Sequence, residues 1–184
     1  MRLFVSVDLP SALAEPIADL QAAFEGVSGL DFVDPEQAHL TLKFLGETDP
    51  DRVEEITAAL ESAVETADVG PFEATFEGLG VFPDPEYIKV LWLGVSEGDE
   101  AFEALQAPIE EHLVELGFDP ADHEFTPHVT LARMRHAGGK DLVQDRLAEL
   151  SPTVGEMTVE EVRLTESVLT EDGPVYETVA GFEI

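Results

Sequence analysis

His39-Leu40-Thr41-Leu42-Lys43 and His128-Val129-Thr130-Leu131 are two copies of one phrase. Each sets a histidine and a threonine two residues apart, with aliphatic residues between and after. The copies lie 89 residues apart (128 − 39), close to half of the 184-residue chain. Side chains alternate across a β-strand. His39, Thr41 and Lys43 are therefore expected on one face, with Leu40, Leu42 and Phe44 on the other. In the second copy His128 and Thr130 oppose Val129 and Leu131. The aliphatic face suits a covering helix and the His/Thr face an open cleft. Two such strands facing each other would bring two imidazoles and two hydroxyls to one small volume.

The flanking sequence repeats in outline. Residues 2–9 alternate as a strand and end at Pro10. A helix follows from Ser11 to about Gly26, with Leu13, Ile17, Leu20 and Phe24 at helical spacing. The first motif strand covers 38–45. Asp49-Pro50 opens a helix to about Thr66 with Val53, Ile56, Leu60 and Val64 as its apolar stripe. Strands are expected from Pro71 to Gly78 and from Tyr87 to Val95, with Phe82-Pro83-Asp84-Pro85 as a rigid loop between them. A third helix spans Asp99 to Leu116, with Pro108 as a point of kinking. The second motif strand covers 127–134, and Gly138-Gly139 joins it to a short helix from Lys140 to Leu150. The tail reads as one strand from Val154 to Leu169 and another from Val175 to Ile184, turned at Glu171-Asp172-Gly173-Pro174. The expected fold is α+β. Two pseudo-symmetric lobes, each an antiparallel sheet with helices outside, enclose a cleft within one bilobal domain spanning residues 1–184.

Composition narrows the chemistry. The chain has no cysteine, which excludes thiolate nucleophiles and cysteine-ligated metal sites. No apolar run approaches the ~20 residues that span a bilayer, and the opening strand pattern lacks a cleavage site. A cytosolic monomer without a membrane partner is expected. Forty acids against nine bases leave a net charge of −31, and the acids are dispersed rather than gathered in a tail. Self-repulsion of that size is screened in molar salt, where the Debye length is ~3 Å, so a protein adapted to a high-salt cytoplasm is expected. Against this background Lys43 and Arg133 lie beside the two motifs and suggest a local anion site. Lys140 and Arg146 are ordinary surface cations. Arg133 has the parity of Val129 and Leu131, so it reaches the cleft only if its strand twists or bulges.

Imidazole is the side chain suited to proton transfer near neutral pH. One neutral histidine accepts a proton from water while a protonated one supplies a leaving oxygen. The neighbouring threonine hydroxyls suit non-bridging phosphate oxygens. A single H-x-T carries almost no information and a lone strand histidine is most often structural. Two copies in matching contexts carry far more. Two histidines under-ligate zinc, and neither motif has a carboxylate at ligand spacing, so no metal or other cofactor is expected. His112, His123 and His136 read as solvated surface residues.

These motifs resemble the 2H phosphoesterases, specifically the RNA 2′,3′-cyclic phosphodiesterases historically called 2′-5′ RNA ligases. The likeness extends to Met1-Arg2-Leu3-Phe4-Val5 through Asp8-Leu9-Pro10, and to Pro35-Glu36 ahead of the first motif, which continues to Gly46. It also takes in Val90-Leu91-Trp92-Leu93-Gly94-Val95, Phe125-Thr126-Pro127 ahead of the second motif, Ala132-Arg133 after it, and Gly173-Pro174-Val175-Tyr176. The resemblance implies hydrolysis of an RNA or nucleotide 2′,3′-cyclic phosphate to a 2′-phosphate. It makes His39 the proton donor, His128 the proton acceptor, and Thr41 and Thr130 the phosphate holders. The near-symmetric motifs do not themselves distinguish the two histidine roles. The acidic segment Asp119 to Glu124 ahead of the second motif weakens any electrostatic grip on an RNA backbone. Recognition is then expected to lean on stacking by Phe82, Tyr87 or Trp92. The competing readings are 2′-5′ ligation by the same histidines in reverse, and a non-catalytic RNA- or nucleotide-binding module. The charge yields its own expectation: thermal unfolding should move to higher temperature from low salt to molar KCl. A melting curve indifferent to KCl would contradict the salt-adapted reading.

Overall fold

The computed structural model describes residues 1–184. Its strands are β1 (Arg2–Asp8), β2 (Leu30–Phe32), β3 (His39–Glu47), β4 (Phe72–Asp84), β5 (Tyr87–Glu97), β6 (His128–Met134), β7 (Thr153–Val159), β8 (Glu161–Thr170) and β9 (Gly173–Glu183). Four helices connect them: α1 (Ala14–Ala22), α2 (Val53–Ala67), α3 (Asp99–Glu115) and α4 (Lys140–Glu149). All strand pairings are antiparallel, in the order β7-β4-β5-β6-β3-β1-β8-β9, with β2 added to β6.

The order divides into two four-stranded halves that meet edge to edge where β3 lies beside β6. A single registered pair, Leu40 with Val129, makes that join. The halves correspond: β3-β1-β8-β9 mirrors β6-β5-β4-β7. The chain path repeats too, since β1–α1–β3–α2 is followed by β5–α3–β6–α4. The strands after the second helix of each repeat are partly exchanged. β4 leaves the first half to pair with β5, and β8 leaves the second half to pair with β1.

The helices form where the apolar stripes lie. Ile17, Leu20 and Phe24 of the first segment, Ile56 and Leu60 of α2, and Phe102, Leu105, Ile109 and Leu113 of α3 are buried in one continuous apolar core. Each fully buried Leu, Ile or Phe contributes ~1.5–3 kcal/mol of transfer free energy. That stripe continues on both sides of Pro108, and α3 runs through the proline as one helix. Asp49 caps the start of the second helical segment by accepting from the Asp51 amide at 2.9 Å, as Asp-Pro predicts.

Two stretches differ from expectation. The run Phe82–Asp84 is strand rather than loop: Phe82 pairs with Val90, and Pro83 with Ile88. The tail between Val154 and Leu169 is two strands, interrupted at Glu160. β7 closes one end of the sheet beside β4, and β8 lies near the other end beside β1. The β8–β9 hairpin turns at Glu171-Asp172, where the turn residues predict it.

Lys43 is also displaced from its expected place. It is 6% exposed and lies on the helix side of the sheet. Its Nζ donates to Glu110 Oε2 of α3 at 2.7 Å and to the Asp119 carbonyl at 3.0 Å. Removing one member of a buried ion pair strands the other. Lys43→Ala should therefore destabilise the fold by roughly 3 kcal/mol in urea unfolding. A Lys43→Met/Glu110→Gln double variant should recover most of the loss. A single variant as stable as the parent would show that the pair holds nothing.

Candidate active site

His39 opens β3 and His128 opens β6, and the two are held alike. Nδ1 of His39 lies 3.0 Å from the Gln37 carbonyl, and Nδ1 of His128 lies 2.7 Å from the Thr126 carbonyl. A carbonyl only accepts, so Nδ1 carries hydrogen in both rings. In the neutral tautomer each Nε2 is then an unprotonated acceptor. The approach to His39 is stiff. Asp34 caps the turn before it through the Glu36 amide. Gln37 is clamped to the start of β9 by a bond to the Pro174 carbonyl and another from the Tyr176 amide.

Both motif strands carry a β-bulge at the same place. Ser6 pairs with Thr41 and Val5 with Lys43, leaving Leu42 without a partner. Trp92 pairs with Thr130 and Leu91 with Ala132, leaving Leu131 without one. One extra residue reverses the parity of everything after it. Leu42 and Lys43 are consecutive buried residues, as are Leu131 and Ala132. The next residue in each strand, Phe44 or Arg133, emerges on the histidine side, and Phe44 is 67% exposed. This overturns the placement of Lys43 as a cleft cation and of Phe44 as a packing residue. Arg133, whose parity pointed it away, lies within electrostatic reach of both imidazoles.

The bulges are secured from behind by polar groups. The Leu131 carbonyl accepts from the Val33 amide at 3.0 Å and from buried Gln21 Nε2 of α1 at 3.1 Å. Behind the first bulge, Glu110 of α3 takes Lys43 with one oxygen and the Ala121 amide with the other.

Aromatic rings wall each histidine. His39 lies 4.9 Å from Phe4 and 4.9 Å, edge-on, from Tyr176. His128 lies 4.9 Å, edge-on, from Phe82 and 5.9 Å from Trp92. The Trp92 ring crosses directly over Gly80, where a Cβ would come within 2.1 Å of it, so only glycine admits the indole. Phe82 and Trp92, read as stacking candidates, form the wall of the site, and Tyr87 stands apart on the β4–β5 turn. Burial lowers the pKa of both histidines and outweighs the carbonyl hydrogen bonds that raise it. The remaining charges are unequal. Asp8, paired across the strands with His39, pulls that ring's pKa back up, against Arg133. His128 is surrounded only by cationic influences, from His123, Arg133 and His39.

Thr41 and Thr130 are half-buried beside the histidines, and neither hydroxyl has a protein hydrogen-bond partner. The other histidines stand apart. His112 bonds back to the Pro108 carbonyl within α3, His123 pairs with Asp122 on the surface, and His136 accepts from the Gly138 amide. No three His, Asp or Glu side chains are grouped so as to hold a metal ion.

Comparisons with known proteins identify the family. The family model of the 2′-5′ RNA ligase superfamily matches residues 9–170. A protein of Archaeoglobus fulgidus named RNA 2′,3′-cyclic phosphodiesterase is 37% identical over 185 residues, covering 100% of both chains. Its namesake from Methanothermobacter thermautotrophicus is 34% identical over 186 residues, covering 100% of this chain and 99% of its own. The crystal structure of TT0787 of Thermus thermophilus superposes with a TM-score of 0.79 at 30% identity, covering 100% of this chain and 97% of that one.

In an NMR titration, His39 and His128 should both take up a proton at lower pH than free histidine. A midpoint at or above the ordinary imidazole value for either ring would contradict the burial that the aromatic walls impose.

Proposed function

The chain belongs to the 2′-5′ RNA ligase superfamily, and on that premise we propose that it hydrolyses RNA 2′,3′-cyclic phosphate ends to 2′-phosphates. The observation that carries this reading is the matched pair of imidazoles. They enter from corresponding strands, each has Nδ1 committed to a carbonyl, and each leaves Nε2 for chemistry. A cyclic phosphodiester needs one proton taken from water and one given to the departing oxygen, which are the two things this pair can do.

Water attacks phosphorus in line with the P–O3′ bond. His128 Nε2 accepts the water proton as the new P–O bond forms. His39 donates its Nε2 proton to O3′ as that bond breaks, leaving a 3′-hydroxyl and a 2′-phosphate. Return of the proton from His128 to His39 through solvent resets the site. The surroundings support this division of labour. Asp8 favours the protonated form of His39, and the cations about His128 favour the neutral form that a base requires. The free hydroxyls of Thr41 and Thr130 donate to the non-bridging oxygens, and the guanidinium of Arg133 offsets their charge. Phe44, exposed on the same side, gives the terminal base a face to stack on. The pseudo-symmetric strands thus meet an asymmetric task with symmetric parts made unequal by their neighbours.

The test is turnover of an oligonucleotide with a 2′,3′-cyclic phosphate in molar KCl and EDTA. The parent should release a 2′-phosphate product. His39→Ala and His128→Ala should each lose roughly 10²–10⁴-fold in kcat. The pH–rate profile should be a bell. Its acid limb reports a neutral base and its alkaline limb a protonated acid, and because burial lowers both pKa values, both limbs should lie to lower pH than for free imidazoles. Loss of turnover in EDTA, or activity surviving either substitution, would refute the two-histidine mechanism.

A further inference from the structure

Most of the nine bases in this chain are occupied by carboxylates. Lys43 meets Glu110, Arg52 meets Glu55, Arg135 meets Asp31, Lys140 meets Glu86, Arg146 meets Glu149, and Arg163 meets both Asp8 and Glu161. Lys89, Arg133 and Arg2 have no such partner, although 40 acids compete for them. Lys89 and Arg133 are neighbours. Val90 pairs directly with Arg133, and Lys89 is the unpaired residue beside Val90 where the β4–β5 ladder shifts. The two lie about one strand spacing (~4.8 Å) across and one residue (~3.4 Å) along from each other.

Beside Lys89 stands Tyr87, 60% exposed, with the Lys89 ammonium 5.3 Å from the centre of its ring. A large aromatic left in water at a strand end adds nothing to the core. The turn that presents it is nevertheless held firmly. Asp84 accepts from the Glu86 and Tyr87 amides, Gln144 of α4 donates to the Pro85 carbonyl at 2.6 Å, and Lys140 reaches the Glu86 carbonyl. The acids of this turn are thereby engaged, Asp84 by backbone amides and Glu86 beside Lys140 at 4.0 Å. The same hairpin carries Phe82 against His128. A continuous strip therefore runs from the second histidine past Phe82 and Val90 to Lys89 and Tyr87.

We infer that the β4–β5 turn is a second nucleotide subsite, which receives single-stranded RNA on the 5′ side of the cyclic end. Lys89 meets a phosphodiester of the strand and Tyr87 stacks one of its bases. A rigid ring with an adjacent unpaired cation is the sequence-tolerant way to hold a single strand. In high salt stacking carries more of the binding than charge does. The inference rests on the cyclic-phosphodiesterase reading for what occupies the cleft, and it makes an oligonucleotide a better substrate than a mononucleotide.

The experiment compares 2′,3′-cyclic AMP with a single-stranded oligoadenylate ending in a 2′,3′-cyclic phosphate, using the parent, Tyr87→Ala and Lys89→Ala. The oligonucleotide should show the lower KM with the parent. Tyr87→Ala should raise that KM about tenfold, the equivalent of one lost stacking contact. Lys89→Ala should raise it less and reduce the slope of log KM against log[KCl] by about 0.7, as for one phosphate contact. Neither variant should change turnover of cyclic AMP. Equal effects on both substrates would overturn the subsite, since the turn would then act on the cleft itself. Unchanged oligonucleotide kinetics would overturn it as well and leave the turn to a protein partner. If the parent cleaves neither substrate, the functional reading fails separately. Fluorescence anisotropy with the oligonucleotide then decides the subsite: weaker binding by Tyr87→Ala upholds it and equal binding overturns it.

Discussion

Leu40 and Val129 form the one registered pair between the two motif strands, and the geometry of the site depends on that contact. Both side chains are essentially inaccessible to solvent. An antiparallel pair at this point carries His39 toward Thr130 and Thr41 toward His128 on the opposite face. Beyond it the strands part, each with its own half of the sheet. A one-residue slip of either strand would turn its histidine into the core and its aliphatic residue outward. The unfavourable burial of charge-bearing groups makes that alternative costly. The hydrophobic effect therefore sets the register, and the register sets the distance between the two imidazoles.

The bulges add the second constraint. Without Leu42 and Leu131 as unpaired residues, Lys43 would face the cleft, and Phe44 and Arg133 would face the helices. An exposed lysine beside His39 would suppress protonation of that ring. With the bulge, that charge is carried to the far side of the sheet and neutralised by Glu110, while Asp8 remains as the charge paired across from His39. Helices crossing from the other half of the repeat hold this arrangement: α1 through Gln21 at Leu131, and α3 through Glu110 at Lys43. Each half of the molecule thus braces the motif strand of the other.

How far the sequence is legible follows from which interactions are local. The helices, the two motif strands and the final turn were readable because periodicity, Asp-Pro and Asp-Gly act within a few residues. The convergence of His39, Thr41, His128 and Thr130 follows from simple alternation, which holds from His39 to Leu42 and from His128 to Leu131. It fails one residue later in both strands, because a bulge depends on the cross-strand partner, which in β3 is Val5 or Ser6 from the start of the chain. Nothing within His39–Phe44 announces it. The consecutive buried residues Leu42-Lys43 could not be read as such, since lysine is the last residue expected inside. The break at Glu160 was equally hidden. Val154 to Leu169 is uniformly strand-like, and only the pairing of β7 with β4 and of β8 with β1 sends its two parts to different places in the sheet.

The same reasoning explains how a duplicated scaffold can support two different tasks. A shared backbone path gives both strands the same four positions: a histidine, a threonine, a residue behind the bulge and a residue emerging after it. The first two are identical in the copies. The last two differ, Lys43 and Phe44 in one strand, Ala132 and Arg133 in the other. Behind the bulge the choice affects stability, since Lys43 needs Glu110 and Ala132 needs only space. After the bulge the choice affects what the surface presents: an aromatic face on one strand and a guanidinium on the other. Symmetry of the backbone and asymmetry of these positions are therefore compatible. In the proposed reaction a cyclic phosphate, with one oxygen entering and another leaving, is a substrate whose two sides call for that combination.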